Sequence, residues 1–315
     1  MSKSIRAATK NVRSRVFESA RWAGYVPRSN DIIIGTYPKC GTTWMQRIVS
    51  MLVFESPAPQ KIWELSPWPD MRMYGPIEPV LASAEAQIHR RFFKTHLPLD
   101  ALTMYEGMKF IHVARDGRDA AMSFHNHLSN FTTHALSILN EISRDDPKFG
   151  DDWPLISENA AEYFTHWVED GGAFGDEGAS FFYVENSYWK QRHDPSVLLV
   201  HYNDLKADRA GEMRRIADFL KIDISESLWP EIIAAASFEA MKEQGDTLIP
   251  DLKLQWEGGA ARFFNKGTNG RWQNVVVPRD LSRYDAQVKK YFTGDLARWL
   301  ENGRLIAGDP RGSAL

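Results

Sequence analysis

The sequence predicts an α/β protein in three layers, a central parallel sheet with helices on both faces. Two observations carry this. Short apolar runs within Ile32–Ile34, Arg91–Pro98, Lys109–Arg118 and Ser196–Tyr202 read as strands, and βα connections join them along the chain. The first run also leads through a loop containing Gly35, Lys39 and Gly41 into a helical pattern from Thr42, where Trp44, Met45, Ile48, Val49 and Leu52 recur at three- and four-residue steps. Strand, tight loop and helix N-terminus together make a phosphate-binding design. Free N–H groups and the positive end of the helix dipole point at the loop. The expected fold is therefore P-loop-like.

Composition narrows the function. The chain has 315 residues, 43% of them apolar and 25% charged, which is ordinary for a globular protein. A net charge of -3 argues against non-specific nucleic-acid binding. The single Cys40 excludes an internal disulfide and a Cys-based zinc site, and suits a reducing compartment, so a cytoplasmic location is expected. No apolar run approaches the roughly 18 residues of a membrane span.

Residues 1–30 form a basic arm, with Lys3, Arg6, Lys10, Arg13, Arg15, Arg21 and Arg28 against Glu18 alone. Such a start can be a transit peptide; a surface helix or loose arm is the reading preferred. Residues 31–303 read as one domain and 304–315 as a tail, because motifs from both ends of this span are expected to meet in one site. The anion loop is not a Walker A sequence. That motif places Lys directly after its second Gly, then Ser or Thr. Here Lys39 precedes Gly41, and Thr42 and Thr43 follow it. The earlier Lys favours a single diphosphate-like group over a triphosphate. The string Thr36-Tyr-Pro-Lys-Cys-Gly-Thr-Thr-Trp44 resembles the 5′-phosphosulfate loop of the cytosolic-type sulfotransferases, which use 3′-phosphoadenosine 5′-phosphosulfate (PAPS).

The helix after the loop should run to about Phe54, before Pro57 and Pro59. Ser66–Pro79, with Trp68, Met71, Met73 and Tyr74, is a loop that either fills the core or walls an acceptor pocket. Next, Lys94 and His96 stand two apart near a strand end, where α/β sheets place ligands. Lys-Thr-His-Leu-Pro98 resembles the family segment whose His is the catalytic base. Arg115 follows the next strand, and Ser123 lies eight residues on, in a helix expected over Asp119–His127. The family uses an Arg and a Ser at this spacing for the 3′-phosphate, and a guanidinium suits it by forked, charge-assisted bonds. His125, His127 and His134 have no supporting ligand spacing and read as polar lining or surface.

Asp145–Asp152 should be an exposed loop. Helices are expected over Glu158–Trp167 and Tyr183–Gln191, joined by a flexible link holding Gly171, Gly172, Gly175 and Gly178, which reads as an insertion near the pocket. Tyr202, in Tyr-Asn-Asp-Leu-Lys206, either caps the core or, by the resemblance, touches the adenine side. Ser237, Phe238 and Met241 match the Ser-Phe-x-x-Met-Lys segment bordering the base, with Ala236 where the family carries Thr. Phe238 and Trp44 would wall the adenine. Asn265, Lys266 and Gly267 resemble the Arg-Lys-Gly-x-x-Gly-x-Trp element over the 3′-phosphate; the usual Arg is Asn265, and Arg271 stands where Asp is usual. A helical region spans Arg279–Trp299.

The resemblance implies sulfuryl transfer from PAPS to a hydroxyl, or an amine, of a small acceptor. His96 would act as base, Lys39 and Lys94 at the transferring group, and residues 39–44 with Arg115, Ser123, Tyr202, Ser237, Phe238, Met241, Asn265, Lys266 and Gly267 around the nucleotide. No metal is expected. The alternatives are a nucleotide kinase or NTPase, and a non-catalytic nucleotide-binding relative.

Overall fold

The computed structural model describes residues 3–312. Among the described residues six strands form two sheets: β1 (Ser4–Arg6), β2 (Ile32–Gly35), β3 (Phe92–Thr95), β4 (Met104–Tyr105), β5 (Lys109–Ala114) and β6 (Val197–His201). The central sheet is wholly parallel, in the order β3-β2-β5-β6. Ile32 stands beside Phe92 on one side and Lys109 on the other, and Phe110 beside Val197.

Each strand feeds two cores, because alternate side chains face opposite ways. Ile33, Phe93, Phe110 and Leu199 join one apolar cluster; Ile32, Ile34, Phe92, Ile111 and Val200 join the other. The second core takes the helix Thr42–Phe54 and the helix Arg209–Leu220. The first takes residues of the helices Gly117–Leu128, Ala160–Asp170, Phe181–Trp189 and Gly294–Asn302. This is the three-layer arrangement the sequence implied.

Several local expectations need revision. The basic arm is neither a helix nor loose. Among its described residues the one helical stretch is a 3-10 turn at Ser19–Gly24, β1 pairs with β4, and Val12, Val16, Phe17 and Tyr25 are buried. The helical pattern after β6 is broken at Asp208, which leaves helical geometry and caps the second piece by accepting from the Gly211 N–H. The C-terminal region is likewise two helices, Pro278–Tyr291 and Gly294–Asn302, with Thr293 capping the second. Gly171 and Gly172 are packed tight: a Cβ on Gly172 would lie 2.3 Å from the Tyr37 hydroxyl. Asp145–Asp152 is mostly exposed, but Asp146 is buried, held by Arg72 and by Arg13 of the arm.

Candidate active site

The carboxyl ends of all four central strands converge on one cavity of about 460 Å³. The β2 end supplies the loop of Lys39 and Gly41, and β3 supplies Lys94 and His96. Arg115 comes after β5, and Tyr202 after β6. Ser123, Trp44, Phe238, Met241, Asn265, Lys266, Gly267 and Arg271 complete the polar half. The other half is apolar and includes Phe17, Trp68, Met71, Phe124, Trp153 and Phe174. The Ser66–Pro79 segment and the glycine-rich link thus both reach the wall.

The β2 loop is built to leave its N–H groups open. Lys39 and Gly41 both adopt left-handed conformations, φ 68° and 115°. Gly41 is the N-cap of the helix Thr42–Phe54 and offers no side-chain cap. The first intrahelical bond runs from the Met45 N–H to the Gly41 carbonyl, so Thr42, Thr43 and Trp44 present N–H groups that the helix does not use. A Cβ at Gly41 would stand 3.2 Å from the Tyr202 ring. The loop therefore presents an anion cradle at a helix N-terminus.

His96 is 5% exposed, and its ring has a defined tautomer. Nδ1 lies 2.7 Å from the Thr36 carbonyl oxygen, which can only accept, so Nδ1 carries the proton. Nε2 is left with its lone pair on a ring that lines the cavity. Burial, followed by the charge of Lys94, lowers the pKa of His96 well below its usual value and keeps it neutral. Thr36 Oγ1 is 2.6 Å from Thr42 Oγ1, so the support of the imidazole is tied to the anion loop. Asp70, fully buried, accepts from the His96 backbone N–H at 3.2 Å and from the Trp68 indole at 3.0 Å. Trp68 in turn sets its ring edge-on to His96, 4.9 Å between centroids.

Two lysines converge on the same space. Lys39 Nζ is 3.3 Å from His127 Nδ1 and lies over the Phe263 ring. Lys94 Nζ sits 3.4 Å from the Trp68 ring centroid. Burial, and next the charge of Arg115, draws Lys39 down to about 7; burial, and next the charge of Lys39, draws Lys94 down to about 7. Mutually repelling, desolvated cations are relieved by a bound polyanion.

Arg115 joins the two anion-type loops. Its guanidinium donates to the Lys39 carbonyl at 3.3 Å, to the Thr268 carbonyl at 3.1 Å and to Asn269 Oδ1 at 2.7 Å. It also lies on the Tyr202 ring, 4.2 Å from its centroid. Segments about 225 residues apart in sequence are thereby brought against one side chain. Gly267 has φ 61°, and a Cβ there would stand 2.8 Å from the Phe238 ring, so only glycine fits. Trp44 and Tyr202 meet edge to face at 5.5 Å, and the Trp44 indole donates to the Ala236 carbonyl at 2.8 Å. An open N–H cradle, a glycine-only contact and an aromatic box between them fit an adenine nucleotide carrying phosphate at both ends.

Two of the expected residues do not line the cavity. Cys40 does not line the cavity: its side chain is buried in the core and its N–H bonds the Tyr37 carbonyl. Ser237 does not line it either; its hydroxyl accepts from the Ala240 N–H at the start of the helix Phe238–Glu243. His125 bonds the Ser157 carbonyl at 2.8 Å, and His134 is exposed. Residues the sequence reading passed over include Val16 and Phe17 of the arm, Trp63, Lys206 and Arg209. Lys206 donates to the Gly267 carbonyl at 2.8 Å. It lay within a motif already singled out; the apolar residues of the arm were masked by its charge.

Comparison with known proteins agrees with this geometry. Residues 29–296 match the sulfotransferase domain family. A glycolipid sulfotransferase of Mycobacterium tuberculosis is 33% identical over 310 residues, covering 93% of this chain and 94% of the other. Mouse sulfotransferase 1B1 is 30% identical over 282 residues, covering 84% and 83%. A mouse sulfotransferase (SULT7A1) solved with PAP superposes with a TM-score of 0.64 at 22% identity, over 89% of this chain and 91% of that one. Retinol dehydratase, solved with androsterone and PAP, gives 0.65 at 22% identity, over 87% and 83%. The fold and site define the class of sulfuryl-transferring enzymes. The chain belongs to the sulfotransferase family.

Proposed function

We propose that the chain moves a sulfuryl group from PAPS to a hydroxyl of a small acceptor, with His96 as general base. The carrying observation is the Nδ1–H bond from His96 to the Thr36 carbonyl, which leaves a neutral Nε2 in the cavity shared by the anion loop. The acceptor O–H gives its proton to Nε2 as its oxygen forms the new O–S bond. The bond from sulfur to the 5′-phosphate oxygen breaks, and its electron pair leaves with the phosphate. Lys39 and the N–H groups of Thr42 to Trp44 take up that charge, and Lys94 serves the sulfonate oxygens. By analogy with phosphoryl transfer the transition state is loose, so catalysis rests mainly on positioning.

Arg115, Ser123, Lys266 and Gly267 are assigned to the 3′-phosphate, with Arg271 covering for Asn265. Trp44, Tyr202, Phe238 and Met241 are assigned to the adenine. The apolar half would take the acceptor, and the similar retinol dehydratase binds androsterone. No metal ion is assigned to the reaction. Among the described residues no helix is long and apolar enough to cross a membrane, and a cytoplasmic location is proposed on the single buried Cys40.

The test is transfer of labelled sulfate from PAPS to a panel of phenols, alcohols, steroids and amines, run beside His96→Ala. Wild type should label at least one hydroxyl acceptor. The variant should lose transfer by about a hundredfold or more, the scale of general base catalysis, with PAP affinity nearly intact. Loss of both together would make His96 structural.

A further inference from the structure

His127 lines the cavity, yet the transfer step makes no use of it. It stands four residues after Ser123 on the helix Gly117–Leu128, so the two share one helical face. Aromatic rings surround its imidazole: Trp256 at 4.6 Å, Phe131 at 5.3 Å, Phe263 at 5.9 Å and Phe124 at 6.0 Å between centroids. Its backbone carbonyl accepts from the Trp256 indole at 3.2 Å. The ring so held has Nδ1 3.3 Å from Lys39 Nζ.

Chemistry fixes the direction of that bond. A charged lysine has three N–H donors and no acceptor. Nδ1 must offer its lone pair, and the ring proton sits on Nε2. Burial, and next the charge of Lys39, holds His127 well below its usual pKa, so the ring is neutral and keeps that lone pair. The charges set against Lys39 are positive, from Arg115 past the end of β5 and Lys94 on β3. His96, just past β3, is neutral. From the helix Gly259–Phe263 the Phe263 ring faces Nζ at 4.6 Å. His127 Nδ1 is therefore the one hydrogen-bond acceptor that the Lys39 side chain has among the described residues.

We propose that His127 is the positioning residue of Lys39: its Nδ1 holds one ammonium N–H so that the other two face the 5′-phosphate. The proposal rests on the sulfuryl-transfer reading of the cavity. Three donors serve both partners, so the bond to His127 persists when the nucleotide is bound.

The experiment follows PAP affinity against pH for wild type, His127→Phe and His127→Asn. Phenylalanine keeps the ring and removes the lone pair. Asparagine gives up the ring and sets Oδ1 near the place of Nδ1. A hydrogen bond to a charged group is worth about tenfold or more. Losing it makes Lys39 give up its proton about one pH unit earlier. His127→Phe should therefore raise the PAP Kd about tenfold at pH 8 and leave it at the wild-type value near pH 5.5, where Lys39 is charged in both. His127→Asn should follow the wild-type curve within about threefold, while melting lower for want of the ring. A Kd for His127→Phe equal to wild type at every pH, or raised by one factor at every pH, would make the ring a packing element and overturn the proposal. So would a curve for His127→Asn that matches His127→Phe. Nitrogen-15 spectra of histidine-labelled wild type need no variant: His127 should carry its proton on Nε2, and a proton on Nδ1 would overturn the proposal. Neither measurement requires turnover. Wild type that binds PAP with the expected pH curve but labels no acceptor would sink the sulfuryl-transfer reading and uphold the pairing of His127 with Lys39.

Discussion

Raising the pH should weaken nucleotide binding while making the free protein more stable. Burial holds Lys39 and Lys94 at about 7, against an ordinary value of 10.5. A bound polyphosphate restores their charge, so binding above pH 7 takes up protons. Between pH 7.5 and 9 the phosphates are already ionised, their second pKa being about 6. Over those 1.5 units the charged fraction of a lysine with a pKa of about 7 falls roughly 25-fold. PAP affinity should fall by about 25-fold if one lysine must charge, and by up to about 600-fold if both must. Stability runs the other way. Both lysines hold protons less readily in the folded chain than in the unfolded one. Their contribution to the unfolding free energy is therefore fully present above the unfolded value of 10.5 and is lost as pH falls toward about 7. His96, also depressed, adds a stabilising contribution that is present above its usual 6.5 and lost in acid. The assay is isothermal titration calorimetry in paired buffers of different ionisation enthalpy, with melting curves beside it. Affinity flat across the window, or protons released on binding, would refute the reasoning.

Three further outcomes follow from single contacts. Gly267→Ala should reduce PAP affinity by about tenfold or more, since a residue at φ 61° is strained and its Cβ would displace Phe238; an unchanged Kd would clear that contact of any role. Arg115→Ala should weaken PAP by about a hundredfold or more and 5′-AMP far less, charge-assisted phosphate bonds being the strong ones; equal losses would remove Arg115 from the 3′-phosphate. Asp146→Ala should cost about 2–3 kcal/mol in urea unfolding, somewhat under a fully buried pair because the Arg13 side chain is 40% exposed, and should raise acceptor KM by loosening the arm that carries Phe17.

The parts of the fold that sequence displayed were those governed by periodicity. Four apolar runs and the helix from Thr42 to Phe54 appear where their spacing put them, because strand and helix burial repeat at fixed intervals. The site was legible where one loop carries its own chemistry, as at Lys39 and Gly41. It was less so where a side chain is recruited by packing. Nothing local distinguishes Phe17 from a surface residue in a basic arm, yet its ring meets His96 edge-on, 5.3 Å between centroids. Ser237 shows the converse: it sits in a recognisable motif, but its hydroxyl accepts from the Ala240 N–H of its own helix. Asp208 divided an apolar pattern that ran on through it, because a cap outweighs periodicity at one position.

A crystal structure of the protein with PAP tests the central claim most directly. The 5′-phosphate should lie on Lys39 and the N–H groups of Thr42 to Trp44, the adenine between Trp44 and Phe238, and the 3′-phosphate against Arg115, Ser123 and Lys266. A nucleotide bound in the opposite sense, or outside the space between the two loops, would contradict the account.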